Sequence, residues 1–526
     1  MRLLIILIYF LLISAMPALL SGDIGLLSKL VITLTGVLIM LLCAGGYKSL
    51  TGKIITVLIT IVWALNLSVS FFFYQKHDIR FSSSIAETFI NTNSNETVGM
   101  LSYNKYYVLF YIIVFAIYFL SIQRCAKYLN RKVTLVSFIL FCSYLVAVPV
   151  YYSALLSKQD SDLLIGEKYL THTPFYNASA LVRNLYENRG IRKISSHKVE
   201  YQYDKQEADA DIYVLIIGES VRRDHLSLYG YEHDTTPNLN RRKPQMLIFN
   251  QAYSPAPVTI LSVPVSLANI SFAQMQDKTH YADNIIALAN HAGFETYWLS
   301  NQGKTNKSTS VISTIASMAK HKKWNEFVGY DEELLDYFDD AINTKTNKKK
   351  LIVLHTYGSH EPSCNRFPED QYQTFSEQED DDCYDSSIAY TDQFIDNILQ
   401  KLDGKSASVM YFADHALQRL DSDNAIHYHH GVNSPRKEAY EIPLFVWYSL
   451  SATKPSLSEH SLNSPYSTAN NYWLMSDWLG IQQRATKACL SPLRSCYQPQ
   501  KNISMIDGNR TLLHLNELPS EQASPQ

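Results

Sequence analysis

The first 153 residues carry five long apolar runs separated by polar loops, approximately Leu3–Leu20, Leu30–Cys43, Ile54–Phe73, Tyr106–Ile122 and Val133–Tyr151. A bilayer core of ~30 Å needs ~20 apolar residues per helix, so each run predicts a membrane-spanning helix, the second one tightly. The first run, preceded by Arg2, could serve as a signal peptide; four further runs and no clear cleavage site make it a retained anchor. From Asp211 the pattern changes to short apolar strands alternating with helical stretches, which predicts an α/β sandwich with a mostly parallel sheet. The expected strands are Asp211–Ile217, Phe294–Leu299, Lys350–Leu354, Ser408–Phe412 and Ile442–Trp447. The expected organisation is a five-helix transmembrane domain (1–153), a membrane-surface linker (154–210), an α/β domain (211–517) and a disordered tail (518–526).

Composition adds little until it is divided. Across 526 residues the chain is 47% hydrophobic with a formal charge of −3, which gives no reason to expect a nucleic-acid partner. Up to Leu155, however, there are 11 Lys and Arg against 4 Asp and Glu, and the remainder holds 35 against 45. Basic residues also set the orientation. Lys48 and Lys53 lie in one loop, and Arg124, Lys127, Arg131 and Lys132 in another, so both loops should be cytoplasmic. The N-terminus is then inside and everything after the fifth run outside. The Lys76–Lys105 loop is outside too, its Ser82–Thr97 stretch a solvated connector. Cys43, Cys125 and Cys142 lie in or beside apolar runs, whereas Cys364/Cys383 and Cys489/Cys496 form two close pairs. In an exported domain such pairs read as disulfides; the other reading is four free thiols in a cytosolic one. The Cys-x₆-Cys spacing also resembles a metal clip, but no nearby His completes it.

Polar residues gather where the strands end. Asp211–Ile217 runs into Gly218-Glu219-Ser220, and Phe294–Leu299 into Ser300-Asn301-Gln302-Gly303. Lys350–Leu354 leads to His355-Thr356-Tyr357-Gly358-Ser359-His360, and Ser408–Phe412 to Ala413-Asp414-His415. His427-Tyr428-His429-His430-Gly431 precedes the fifth strand. Sites in open α/β sheets form outside the carboxyl ends of strands. Any one of these residues could be a cap or a structural histidine, but Glu, Asp and His together are zinc-type ligands. The nucleophile is less readable. Ser220 lacks the last Gly of a G-x-S-x-G elbow, since Arg222 stands there, and it reads as a helix N-cap. Thr259 would lie near a helix start, where amides stabilise a phosphate. Its hydroxyl is a poor nucleophile unless a metal or base takes the proton, and it is one of several.

Gly218-Glu219-Ser220-Val221-Arg222-Arg223-Asp224-His225-Leu226-Ser227-Leu228-Tyr229-Gly230-Tyr231, then Thr235-Thr236-Pro237-Asn238-Leu239, resembles the signature of bacterial phosphoethanolamine transferases of the alkaline phosphatase/sulfatase superfamily. The likeness continues through Asn301-Gln302, Leu354–His360 and Asp414-His415, and includes five membrane helices ahead of an exported catalytic domain. It implies an inner-membrane, multi-pass enzyme with a periplasmic catalytic domain. It further implies a zinc ion bound by Glu219, Thr259, Asp414 and His415, with Thr259 as nucleophile. His355, His360 and His430 match positions that bind the phosphoryl group, the leaving group or a second, weaker metal; Gln302 and Lys304 match substrate-phosphate contacts. Three departures stand out. Pro255 and Ala256 replace a Cys-Gly found before the threonine in lipid A-modifying members, and Val265 replaces the second Cys. Ala416-Leu417 replaces the usual Gly-Glu after Asp414-His415. His430 keeps its spacing from His415, with His427 and His429 as competitors. The chain is therefore more similar to members acting on core heptose or periplasmic glucans.

The implied reaction moves phosphoethanolamine from phosphatidylethanolamine to lipopolysaccharide or a glucan through a threonine-bound intermediate, next to membrane lipids and with no nucleic acid involved. The alternatives are a glycerophosphate transferase of lipoteichoic-acid-synthase type and a catalytically inactive membrane scaffold. A sulfatase fits less well, because Ser262-Val263-Pro264-Val265-Ser266 lacks the Arg of its nucleophile motif.

Overall fold

The apolar runs form helices α1 (Arg2–Leu20), α2 (Leu26–Gly46), α3 (Leu50–His77), α4 (Lys105–Ala126) and α5 (Arg131–Leu155). They belong to a computed structural model that describes residues 2–20, 26–77, 81, 86, 105–155, 170, 173–187, 190–205, 210–302, 310–325, 329–376, 378–422, 425–431 and 435–521. The chain falls into two units, Met1–Ile90 with Glu96–Glu187, and Asn91–Asn95 with Asn188–Gln526. Among the described residues, three helices are long and apolar enough to cross a membrane: Lys29–Gly46, Leu50–Phe73 and Lys105–Ala126. The described apolar part of α1, Leu4–Met16, is shorter. Of the five long helices in this unit, three therefore meet that length and hydropathy over their described residues. Ser82–Thr97 and residues 156–169 of the expected linker lie outside the described residues, apart from Ala86.

Within the first unit the helices bury part of their apolar surface against one another and expose the rest. Trp63 and Tyr118 are fully buried and stacked with ring centroids 4.7 Å apart, while Leu12, Leu58 and Val146 face outward. An apolar exterior is what hydrocarbon solvates. Several buried hydroxyls bond to the preceding turn of their own helix, as when Thr56 Oγ1 donates to Gly52 O (2.8 Å) and Thr60 Oγ1 to Thr56 O (2.7 Å). A further helix, α6 (Asn177–Glu187), is tied to α3 by Asn177 Nδ2 donating to Asn66 O at 3.0 Å.

The second unit is built on a seven-stranded sheet. Its strands in chain order are β1 (Ile212–Gly218), β2 (Met246–Ile248), β3 (Glu295–Ser300), β4 (His321–Trp324), β5 (Lys350–His355), β6 (Ala407–Ala413) and, after the hairpin of β7 (Gln418–Ser422) and β8 (Ala425–His429), β9 (Leu444–Tyr448). The sheet order is β2-β9-β6-β1-β5-β3-β4. Strands β6, β1, β5, β3 and β4 are parallel and β9 is antiparallel to both its neighbours. Strands β1, β5 and β6 are buried along their whole length, as strands covered on both faces must be. The last strand begins later than expected. Pro443 has no amide to donate, so Glu441–Ile442 separates from β9 and pairs instead with Ala252–Tyr253.

Register decides what reaches the sheet edge. Gly218 on β1 lies opposite Ala413 on β6, so Glu219 and Asp414 leave the sheet together. His355 lies opposite both Ile217 and Ser300, one step inside that edge. Helix α7 (Thr259–Leu267) starts at the expected threonine, and α8 (Glu379–Leu402) opens on four acidic residues that suit a helix N-terminus. Both cysteine pairs, Cys364–Cys383 and Cys489–Cys496, are disulfide-bonded.

Of the expected tail, residues 522–526 lie outside the described residues, while Leu518 packs against a cluster containing Tyr253, Tyr440, Ile503 and Met505, and Lys437 N donates to Pro519 O at 2.9 Å. Residues 518–521 are held by these contacts and by ion pairs, which outweigh their polar composition.

Candidate metal centre

Four predicted ligands converge at the ends of β1 and β6 and the start of α7. Thr259 Oγ1 donates to Glu219 Oε2 at 3.0 Å and lies 3.2 Å from His415 Nε2. His415 Nε2 is 3.3 Å from Glu219 Oε1 and 3.5 Å from Asp414 Oδ2. Glu219, Asp414 and His415 are buried and their ligand atoms lie within 4.8 Å of one another; Thr259 is half-buried. Asp414 Oδ1 accepts from the amides of Ser220 (3.1 Å) and His415 (2.8 Å). Its Oδ2 is buried without a hydrogen-bond partner. A buried carboxylate oxygen left unpaired among two carboxylates, an imidazole and a hydroxyl fits a cation such as zinc. His415 Nδ1 lies 3.0 Å from Ala416 O, which fixes the tautomer that leaves Nε2 free for the cluster.

Charge in the metal-free cluster is shared unevenly. Burial pushes the Glu219 carboxyl up, but the hydrogen bond and charge of His415 outweigh it and hold the group well below the carboxylate range. Burial and the Glu219 charge raise Asp414. Burial would lower His415, yet the Asp414 and Glu219 carboxylates lift it to about 9. A proton on the imidazole thus stands in for a cation.

Ser220 is not an N-cap. It sits at φ +60°, its Oγ donates to Glu219 Oε1 at 2.5 Å, and the chain continues into a 3-10 turn only at Arg223. The left-handed turn aims Glu219 into the cluster, and Tyr384 OH braces it by donating to Ser220 O at 2.6 Å. Gln302 Nε2 donates to Glu219 Oε2 (2.7 Å) and Thr356 O (2.8 Å), so it holds the ligand carboxylate. Lys304 lies outside the described residues.

The histidines separate clearly. His360 and His430 join Glu219 in a second group with ligand atoms within 4.8 Å, and the His430 ring centroid is 4.9 Å from that of His415. Tyr357 stacks on His360 at 5.1 Å with the Arg366 guanidinium over the Tyr357 ring at 4.1 Å, which orients the imidazole. His427 turns away to pair with Asp380 at 2.9 Å, and His429 Nδ1 lies 3.1 Å from His430 O. His355 is not brought to the cluster. As the last residue of β5 it is buried beside Trp298, with Nδ1 3.4 Å from Ser300 Oγ. Burial drives it down to about 4 despite the Glu219 charge, so it is a neutral core residue at pH 7.

Several supports carry no motif. Asp331, buried and raised by desolvation, accepts from the amides of Tyr357 (2.8 Å) and Gly358 (2.9 Å) and from Asn301 Nδ2 (2.8 Å). Ser262 Oγ donates to Asp414 O, tying α7 to the ligand loop.

A mostly parallel sheet with Glu, Thr, Asp and His at its carboxyl edge defines an alkaline-phosphatase-like α/β domain. Residues 211–481 match the sulfatase family and residues 1–195 the transferase YhbX N-terminal domain. YhbX of Escherichia coli K12, a transferase by name, is 33% identical over 451 residues, which cover 85% of this chain and 82% of that protein. Phosphoethanolamine transferase EptC of the same strain is 25% identical over 497 residues, covering 85% and 83%. The C-terminal periplasmic domain of the Escherichia coli EptC has a solved complex with Zn, of the same fold at 22% identity and a TM-score of 0.55, covering 61% of this chain and 96% of that one. Lipooligosaccharide phosphoethanolamine transferase A of Neisseria meningitidis, an integral membrane protein, shares the fold over 92% of this chain and 96% of its own at 18% identity and a TM-score of 0.63. The chain belongs to the bacterial phosphoethanolamine transferase family, within the alkaline phosphatase/sulfatase superfamily.

Proposed function

We propose that this chain transfers phosphoethanolamine from phosphatidylethanolamine to a cell-envelope glycan, with Thr259 as the nucleophile. The observation that carries the reading is the position of Thr259 Oγ1, 3.0 Å from Glu219 Oε2 and 3.2 Å from His415 Nε2 at the first residue of α7. Glu219, Thr259, Asp414 and His415 would hold one zinc ion, and His360 and His430 with Glu219 a second, weaker metal. Zinc bound there would lower the pKa of the threonine hydroxyl and stabilise charge on the phosphoryl oxygens.

Thr259 Oγ1 forms the new bond to phosphorus as the bond to diacylglycerol breaks. Its proton passes to one of the nearby imidazoles, His360 or His430, and the diacylglycerol oxygen leaves with a proton taken from an imidazole of the same pair. The amides that open α7 face the phosphoryl oxygens. An acceptor hydroxyl then attacks phosphorus and frees the threonine. The absence of cysteines at residues 255 and 265 supports core heptose or a periplasmic glucan over lipid A as acceptor. We place residues 1–153 in the inner membrane with five crossings and a cytoplasmic N-terminus, residues 154–210 along the surface, and the catalytic domain in the periplasm. The lysines and arginines of the loops support that orientation, and exposed Leu181 and Leu185 on α6 support the surface segment. Thr259→Ala should lower transfer of labelled phosphoethanolamine by about a thousand-fold or more with the fold intact. Unchanged transfer would end the assignment.

A further inference from the structure

Arg222 follows the ligand Glu219 by three residues, and its side chain is 4% exposed. Its guanidinium lies between both ligand-bearing loops. The backbone amide donates to Tyr384 OH (2.9 Å), the hydroxyl that braces Ser220, while Nη1 donates to Leu417 O (2.9 Å), two residues past His415. Asp224 takes Nε (3.0 Å) and Nη2 (2.7 Å). The remaining face is filled from far along the chain. Glu521 Oε1 accepts from Arg222 Nη1 at 2.9 Å and Oε2 from Nη2 at 3.0 Å, a two-point clamp. Glu521 Oε1 also accepts from the Arg419 amide at 2.7 Å, in the hairpin that leads to His430.

Glu521 is itself fixed. Its amide donates to Glu438 Oε2 at 3.0 Å, Arg436 Nη1 donates to Ser520 O at 3.1 Å, and Leu518 anchors the segment in an apolar cluster. One carboxylate therefore links the loop of Glu219, the loop of Asp414 and His415, and the first strand of the hairpin before His430. We infer that Glu521 is a positioning residue for the metal centre, acting through Arg222. Without it, two N–H groups of a guanidinium that is 4% exposed lose their partner, and Arg222 shifts, carrying Leu417 O and the turn after Glu219.

The test uses the full chain in detergent and zinc alone as the probe, in competition with a chromophoric chelator. Glu521→Gln and a chain ended after Ser520 should each bind zinc about 10-fold more weakly, within the range for residues behind metal ligands. A chain ended after Glu521 should match the intact one, and Glu521→Asp should recover part of the loss. In transfer assays kcat should fall with KM for the donor unchanged. Wild-type zinc affinity in both Glu521→Gln and the shorter chain overturns the inference, as does a lowered unfolding temperature with unaltered zinc affinity. The inference rests on Glu219, Asp414 and His415 being the ligands. An intact chain that binds no zinc refutes that reading, whereas equal binding by intact and Glu521→Gln chains refutes only the role of Glu521.

Discussion

Gly358 stands at φ +42°, and a Cβ there would meet Glu219 O at 2.7 Å and Glu219 N at 3.0 Å. The obstructing atoms are backbone, so Gly358→Ala must push the ligand turn away; zinc per chain should fall well below one, read by elemental analysis. Stoichiometric zinc would contradict this. A second residue-scale expectation concerns protons. With His415 raised to about 9, the metal-free imidazole is charged at pH 7, and zinc must displace that proton. Apparent zinc affinity should therefore rise with pH by about tenfold per unit or more from 6 to 8, more steeply at the acid end where the raised Asp414 carboxyl must also lose its proton, with proton release visible calorimetrically in buffers of different ionisation heat. A flat profile would show that His415 is neutral or not a ligand. Glu219, Asp414 and His415 were legible because each follows an apolar strand. Asp331 and Tyr384 were not, because each reaches the site from a segment whose local pattern says nothing of its distant partners. The placement of His355 was not legible for a related reason: strand register, unreadable from one strand alone, puts it one residue inside the sheet edge.

At the scale of elements, the β7–β8 hairpin decides which histidine faces the site. Tyr428 OH donates to Asp381 Oδ1 at 2.5 Å and its ring stacks on Tyr384 at 4.3 Å, seating one side of β8 against α8. His427, on the opposite side of the strand by two-residue alternation, pairs with Asp380 at the surface. His430→Gln should thus lower transfer about 100-fold, and His427→Gln should leave it within about twofold. Equal losses would mean the hairpin moves as one piece. Four of the five parallel strands were legible from their apolar runs to within a residue; β4, a polar edge strand, was not. The last strand was displaced because Pro443 interrupts a run that composition alone leaves continuous. The contacts of residues 518–521 were not legible because their partners, Arg222, Glu438 and Arg436, lie far away in the sequence.

For the molecule as a whole, a charge of −3 is the sum of two unlike parts, a basic apolar region and an acidic α/β domain. That division was legible in hydropathy and charge, whereas the acceptor was not, since acceptor choice depends on a surface rather than on the ligand set. Carrying membrane helices and a metal-binding cluster on one chain gives the proposed reaction a lipid donor at high local concentration. The central claim is that Thr259 carries the phosphoethanolamine group between donor and acceptor. Its most direct test is mass spectrometry of peptides from the purified full chain after incubation with phosphatidylethanolamine vesicles and zinc, without acceptor. The account predicts a phosphoethanolamine adduct on the peptide containing Thr259, localised to that residue and lost in Thr259→Ala. An adduct on Ser220, or a Thr259→Ala chain that still becomes modified and transfers the group, would contradict it.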